Sequence, residues 1–240
     1  MNKHISQQYD QELELARRKL LEMGGLVEDQ VRVACEAFVS HDAVLAQRVR
    51  DGDEQINQME IALDGMVTQI IARRQPTAGD LRLLMAVLKA GTDLERIGDE
   101  SKRIAKMALD LADQSLPTNH YSEIRHLSRE VRRILNDTLD AFARTDEVAA
   151  RRVIGMDKEI DQEYEGVIRQ AMTYMMEDPR TIRRVLNTVW TARALERIGD
   201  HAKNISEYVV YIAIGTDVRH SHKSSNTEGS SNDAPRADGV

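Results

Sequence analysis

The chain repeats itself, and the repeat limits the folds open to it. Leu94-Glu95-Arg96-Ile97-Gly98-Asp99 recurs letter for letter as Leu195-Glu196-Arg197-Ile198-Gly199-Asp200, 101 residues later (195 − 94). Upstream, His41-Asp42-Ala43-Val44, Arg48-Val49 and Asp53-Glu54-Gln55-Ile56 parallel Thr145-Asp146-Glu147-Val148, Arg152-Val153 and Asp157-Lys158-Glu159-Ile160, at an offset of 104 (157 − 53). Two matched stretches in the same order make chance a poor explanation. The small difference between the offsets is what a shorter helix–helix connection in the second half would leave. Each half is therefore one copy of the same supersecondary unit.

The unit reads as helical. Aromatic residues make up 4% of the chain, with one Trp and two Phe, fewer than sandwiches and barrels use. Ala, Leu, Glu, Arg, Met and Gln, which favour helix, fill it instead. Prolines stand at boundaries: Pro76, Pro117, Pro179 and, in the tail, Pro235. Between them the pattern predicts six helices, over 7–40, 42–74, 78–115, 120–143, 145–177 and 179–215. Asp42 and Asp146 are expected to cap the second and fifth. Asp178 is expected to cap the sixth, with Pro179 as its first helical residue. Gly24-Gly25 could bend the first. Leu83, Val87, Ala90, Leu94, Ile97, Ser101, Ile104, Ala108 and Leu111 alternate steps of four and three, a heptad seam. Ala192, Leu195, Ile198, Ala202, Ile205, Val209 and Ile212 continue the same way, with Trp190 expected to anchor the start of that helix. The expected fold is all-α: two tandem three-helix bundles related by the internal repeat, over 7–116 and 119–215. Residues 216–240, rich in Ser, Asn, Asp and Gly, read as a disordered tail.

Composition narrows the function. With 33 basic against 40 acidic residues and a formal charge of −7, the chain does not suit a general binder of nucleic-acid backbones. Cys35, the one cysteine, permits no internal disulfide and lies in an apolar helical run, where packing is its expected role. Met1 to Asp10 holds no apolar signal-peptide core, and no apolar run approaches the roughly 20 residues a spanning helix needs. The expected location is the cytoplasm.

The repeated hexapeptide carries the chemistry. Glu95 and Asp99, and again Glu196 and Asp200, lie four apart, on one face of a helix. From the seam, each pair points roughly 130–170° away, outward from its own bundle. Like charges at that spacing repel, so something must compensate. Local salt bridges from Arg96, Arg103, Arg193 and Lys203 are one answer. A metal site is the other, since paired carboxylates are hard oxygen donors suited to magnesium, manganese, calcium or iron. Gly98 and Gly199 would admit an ion cluster or, more simply, allow tight helix packing.

The doubled Glu-Arg-Ile-Gly-Asp, one per three-helix half, together with the Asp-Glu-Gln-Ile and Asp-Lys-Glu-Ile segments and the run Asp200-His201-Ala202-Lys203-Asn204-Ile205, strongly resembles the PhoU family. The resemblance spans about residues 10 to 215. It implies two three-helix bundles in tandem, a cytoplasmic homodimer, and a negative regulator of the phosphate-starvation response and of phosphate transport. Such a protein would couple a phosphate ABC transporter, through its ATPase subunit, to a sensor histidine kinase by protein–protein binding. Contact with the membrane would come only through these partners. The resemblance also implies divalent or trivalent metal ions (iron, zinc, manganese or magnesium) at Glu95, Asp99, Glu196 and Asp200. In the second half Asn204 and Glu207 follow the motif, where the first has Arg103 and Lys106. Added positive charge should weaken cation binding at the first site.

Other chemistry finds little support. Glu123-Ile124-Arg125-His126 has the Glu-x-x-His spacing of di-iron bundles, but such a site needs two. No zincin, phosphate-loop or dinucleotide motif occurs in the sequence. The methionines, Met172, Met175 and Met176 among them, read as core filling. The stretch from Arg82 to Leu88 is apolar nearly all round, which predicts cover from two sides, by the other bundle or a second subunit. No catalytic residue is assigned and the chain is read as no enzyme. The alternatives are a metal-free helical scaffold and a metal-dependent phosphate-ester hydrolase.

Overall fold

A computed structural model describes residues 7–112 and 121–216. Six helices follow one another: α1 (Gln7–Ser40), α2 (Ala43–Arg74), α3 (Ala78–Ala112), α4 (Ser122–Arg144), α5 (Glu147–Glu177) and α6 (Ile182–Ile214), with a 3₁₀ turn, Pro179–Thr181, ahead of the last. The sequence boundaries hold to within a few residues. The far end of the third segment, the start of the fourth, the boundary at Pro117 and the tail beyond Thr216 lie outside the described residues. None of the described helices is long and apolar enough to cross a membrane.

Local chemistry explains the ends. The Asp42 carboxylate accepts from the backbone N–H of Val44 and Leu45 at 2.8 and 3.0 Å, and Asp146 accepts from Ala149 at 3.0 Å. These are the two expected caps, at equivalent places in the two copies. Asp178 accepts from the N–H of Arg180 at 3.0 Å, but it caps the 3₁₀ turn, and α6 proper starts three residues after Pro179. α1 runs unbroken through Gly24-Gly25. A Cβ on Gly24 would fall 2.6 Å from Leu139 Cδ2, so this glycine allows close approach of α4.

Within each copy the three helices pack on one another: α1, α2 and α3, then α4, α5 and α6. The copies join through α3 against α6 and α1 against α4, so α3 and α6 lie at the centre while α2 and α5 flank them. The buried apolar residues form one continuous core across both copies. Both predicted seams are in it. Val87, Ala90, Leu94, Ile97 and Ile104, like Leu195, Ile198 and Ala202, are fully buried. α3 packs on α1 and α2 of its own copy and on α6 of the other; in the stretch from Arg82 to Leu88, Leu84, Ala86 and Val87 are buried while Met85 stays exposed.

α3 and α6 cross antiparallel, and their contact is partly polar. Asp93, buried, accepts from Asn204 Nδ2 at 3.2 Å and the Tyr208 hydroxyl at 2.9 Å, and lies 2.7 Å from His201 Nδ1. Glu100, also buried, pairs with Arg197 across the crossing at 2.7 Å and with Arg103 at 3.1 Å. Each buried charge thus has partners, as burial requires.

Three expectations about exposure are corrected. Trp190 does not anchor the core; it is 59% exposed. It stands two residues before Ala192, a step of about 200° that leaves the seam. Met172 and Met176 are exposed as well, and Met175 only partly buried. The acid pairs do not face away from their bundles. Glu95 and Asp99 are partly covered and Glu196 is buried, because α3 and α6 each have more than one neighbour and these residues look toward α2 and α5.

Candidate functional site

Each acid pair meets further acids from the flanking helix. In the first copy, α3 carries Glu95 and Asp99 while α2 brings Asp53 and Glu60. Burial, followed by the charges of Asp99, Glu60 and Asp53, pushes the Glu95 carboxyl above its ordinary pKa, against the pull of Arg96. In the second, α6 carries Glu196 and Asp200 and α5 brings Asp157 and Asp161. Burial raises Glu196 first, then Asp200, with Asp161 and Asp157 adding to it and Arg193 opposing. Asp200 and Asp161 are raised for the same reasons, burial leading in both. Four carboxylates in each copy crowd one side of a helix pair, and their charge is incompletely offset.

The helix contact beside each cluster is close because glycine makes it so. A Cβ on Gly199 would meet Ile160 Cγ2 at 3.3 Å, and one on Gly98 would meet Ile56 Cδ1 and Gln30 Oε1 at 3.3 Å. Tight packing is therefore what these glycines provide. It brings α2 onto α3 and α5 onto α6, which places the added aspartates beside the repeated acids.

The basic residues near the clusters take up different partners from those expected. Arg193 Nη1 donates to Glu196 Oε1 at 2.6 Å, as its position suggested. Lys203 donates to Asp157, not to Asp200, and at the equivalent place Lys102 donates to Asp53. Arg103 turns to Glu100 and Asn204 to Asp93, so neither faces its cluster. The expected difference between the two sites therefore cannot rest on those two residues. The Lys203 ammonium is held above its ordinary pKa, against burial, by its hydrogen bond to Asp157, with the charges of Asp157, Glu207 and Asp200 adding to it.

The donor set is carboxylate oxygen, the chemistry a hard cation prefers. One atom asks for a further partner: Glu196 Oε2 is buried without a hydrogen bond. A buried carboxylate oxygen in that state is costly, and a cation would satisfy it. As the side chains stand, no three His, Cys, Asp or Glu among the described residues are grouped to hold a metal ion. Loading a metal would require the side chains to rearrange.

Sequence reasoning named the four repeated acids but missed Asp53, Glu60, Asp157 and Asp161 as neighbours, and Lys102 as a partner. A signal existed. Asp53 and Asp157 are equivalent in the upstream repeat, and Lys102 and Lys203 in the downstream one. Glu60 and Asp161 have no such mark. Of the other candidates, His126 makes an exposed contact with Glu163 at 3.4 Å. Cys35 is buried, its thiol pushed up to about 11 by burial, consistent with packing.

Comparison with known proteins agrees with the doubled fold. The family model for the PhoU domain matches twice, over residues 20–108 and 124–209. A "phosphate-specific transport system accessory protein PhoU homolog" of Pseudomonas putida is 54% identical over 217 residues, 90% of this chain and 85% of that protein. The crystal structure of PhoU from Pseudomonas aeruginosa superposes with a TM-score of 0.84 at 50% identity, covering 87% of this chain and all of that one. That of the phosphate transport system regulatory protein PhoU from Streptococcus pneumoniae gives 0.81 at 28% identity, over 88% and 99%. With both repeats matched and nearly the whole length shared, this chain belongs to the PhoU family.

Proposed function

We propose that the chain is an accessory regulator of phosphate transport and a negative regulator of the phosphate-starvation response. The observation that carries this is the near-full-length identity to a protein named for phosphate-specific transport, across both helical copies. The finer reading is an adaptor in the cytoplasm, working as a homodimer. It joins the ATPase subunit of a phosphate transporter to a sensor histidine kinase by binding both, and makes or breaks no bond. Exposed apolar side chains on the second copy, Met172, Met176, Ile182, Leu186 and Trp190, offer surface for such contacts.

The acidic clusters are read as cation sites, with Glu95, Asp99, Asp53 and Glu60 around one and Glu196, Asp200, Asp157 and Asp161 around the other. A divalent metal there would supply positive charge that fixes α2 to α3 and α5 to α6. The unpartnered Glu196 Oε2 supports this for the second cluster. A metal-free scaffold is the competing reading.

Deletion of the gene, followed by complementation, tests the function. Deletion is expected to switch on phosphate-responsive genes in high phosphate, and the wild-type chain to silence them again. Expression unchanged by deletion in both high and low phosphate would contradict the regulator. Full silencing by Glu196→Gln/Asp200→Asn would favour the metal-free scaffold.

A further inference from the structure

The end of the α5–α6 hairpin carries apolar side chains that the fold leaves uncovered. On α5, Tyr164, Ile168, Met172 and Met176 stand four apart and form one ridge, which rises from partial cover at Tyr164 to 84% exposure at Met176. On α6, Ile182, Leu186 and Trp190 also stand four apart, and all three are exposed. The two ridges border the same side of the hairpin. Arg193 of α6 lies over the Tyr164 ring at 5.8 Å, and Leu186 stands seven residues, nearly two whole turns, before Arg193.

The first copy shows that the bundle does not need these side chains. At the offset of 104 the α5 ridge corresponds to Glu60, Asp64, Thr68 and Ala72 of α2 (164 − 104 = 60), acids and small residues. At the offset of 101, Trp190 corresponds to Lys89 (190 − 101). Ile182 and Leu186 have apolar counterparts, Leu81 and Met85, but those have no apolar ridge beside them. The paired ridges therefore belong to the second copy alone.

Two ridges of spacing four on neighbouring antiparallel helices form a groove into which a third helix can seat a ridge of its own. The residue types are those of protein interfaces: Met, Trp and Arg, with no lysine between Lys158 and Lys203. The α6 edge of the groove is basic. From Pro179 to Ala194 the sequence holds Arg180, Arg183, Arg184 and Arg193 and no acid, whereas the first copy has Asp80 where Thr181 stands. Asp178 engages Arg180, Glu196 engages Arg193, and Arg184 lines the cavity beside Tyr121. Arg183 is exposed and is the charge that an arriving partner meets.

Resting on the adaptor reading, we propose that this groove is the docking site for an amphipathic helix of a protein partner, its apolar face between the ridges and its acidic residues along the flank that meets Arg183. The second copy is then the half that binds this partner.

Trp190 is the one tryptophan of the chain, so 5-fluorotryptophan labelling of the full-length protein gives a single ¹⁹F resonance at the groove. The probes are the purified ATPase subunit of the phosphate transporter and the cytoplasmic region of the sensor kinase, unlabelled, with affinities measured by calorimetry. One of them is expected to shift the Trp190 resonance. Met176→Ser/Leu186→Ser, checked for folding by circular dichroism, should weaken that binding by about tenfold or more. Arg183→Glu should weaken it too, Arg183→Lys should largely keep it, and added salt should reduce it. Met85→Ser, at the place of Leu186 in the first copy, should leave it unchanged. Binding by wild type that the folded Met176→Ser/Leu186→Ser variant retains in full, or that leaves the Trp190 resonance unmoved, would overturn the docking site and spare the adaptor. Unchanged affinity in Arg183→Glu would overturn the acidic flank. A resonance that moves with phosphatidylglycerol vesicles or with the chain's own concentration, and with neither protein, would make this a lipid or self-association face and overturn the proposal. If wild type binds neither protein, the adaptor reading fails and the proposal with it.

Discussion

At the scale of single residues, the crowded acids couple folding to pH. Glu196 and Asp200 titrate above their ordinary values of 4.5 and 3.8 in the folded chain, burial being the main cause. A carboxyl raised on folding contributes stability that is fully present below the ordinary value and is lost as pH rises through the folded one. The metal-free protein should therefore lose stability at these two positions as pH climbs past the ordinary carboxylate range. Neutralising them with Glu196→Gln/Asp200→Asn should raise the metal-free melting temperature at pH 7 by about 2–4 °C and flatten its rise toward acid. Melting curves from pH 4 to 7 check this; a double variant less stable than wild type at pH 7 without metal would contradict it. The four repeated acids were legible in the sequence because they are written twice. Asp53, Glu60, Asp157 and Asp161 were not read as their neighbours, because helical periodicity says which way a side chain points and not which helix arrives opposite. Trp190 failed for a related reason: a large apolar residue was credited to the seam although its spacing from Ala192 is wrong for it.

At the scale of elements, caps and close contacts carry the local stability. Asp146 is the N-cap of α5, and Asp146→Ala should cost about 1 kcal/mol, read from urea unfolding. Gly199 lets α5 approach α6, and Gly199→Leu should force Ile160 and its helix away at a cost of about 1–3 kcal/mol. The same substitution at Gly25, where an added Cβ would meet nothing within 4 Å, is the control. Leu is the better helix former, so Gly25→Leu should be neutral or stabilising; a loss there as large as at Gly199 would show that crowding of the α5–α6 contact is not the cause. Helix number, limits and caps were readable because each depends on a few neighbouring residues. The seams were readable because apolar spacing is a local property too.

At the scale of the whole molecule, the two copies are built into one another. A continuous apolar core spans both, and Asp93 and Glu100 of α3 bind side chains of α6. Asp93→Ala would leave His201, Asn204 and Tyr208 without their shared acceptor. A loss of about 3 kcal/mol is expected, with the chain still melting in one transition; two separate transitions in wild type would argue against a shared core. This joint was not readable in the sequence, since repetition shows that two units exist and not how they dock. The apolar stretch from Arg82 to Leu88 announced a second cover, and α6 of the other copy packs on its helix while Met85 stays exposed. The proposed function reads the acidic clusters of this doubled architecture as cation sites. Metal content of the untagged full-length protein, measured by mass spectrometry for wild type and for Glu196→Gln/Asp200→Asn, tests it most directly. Metal bound by wild type and reduced in the variant is the predicted result. Equal metal content in the two, or none in wild type, would contradict it.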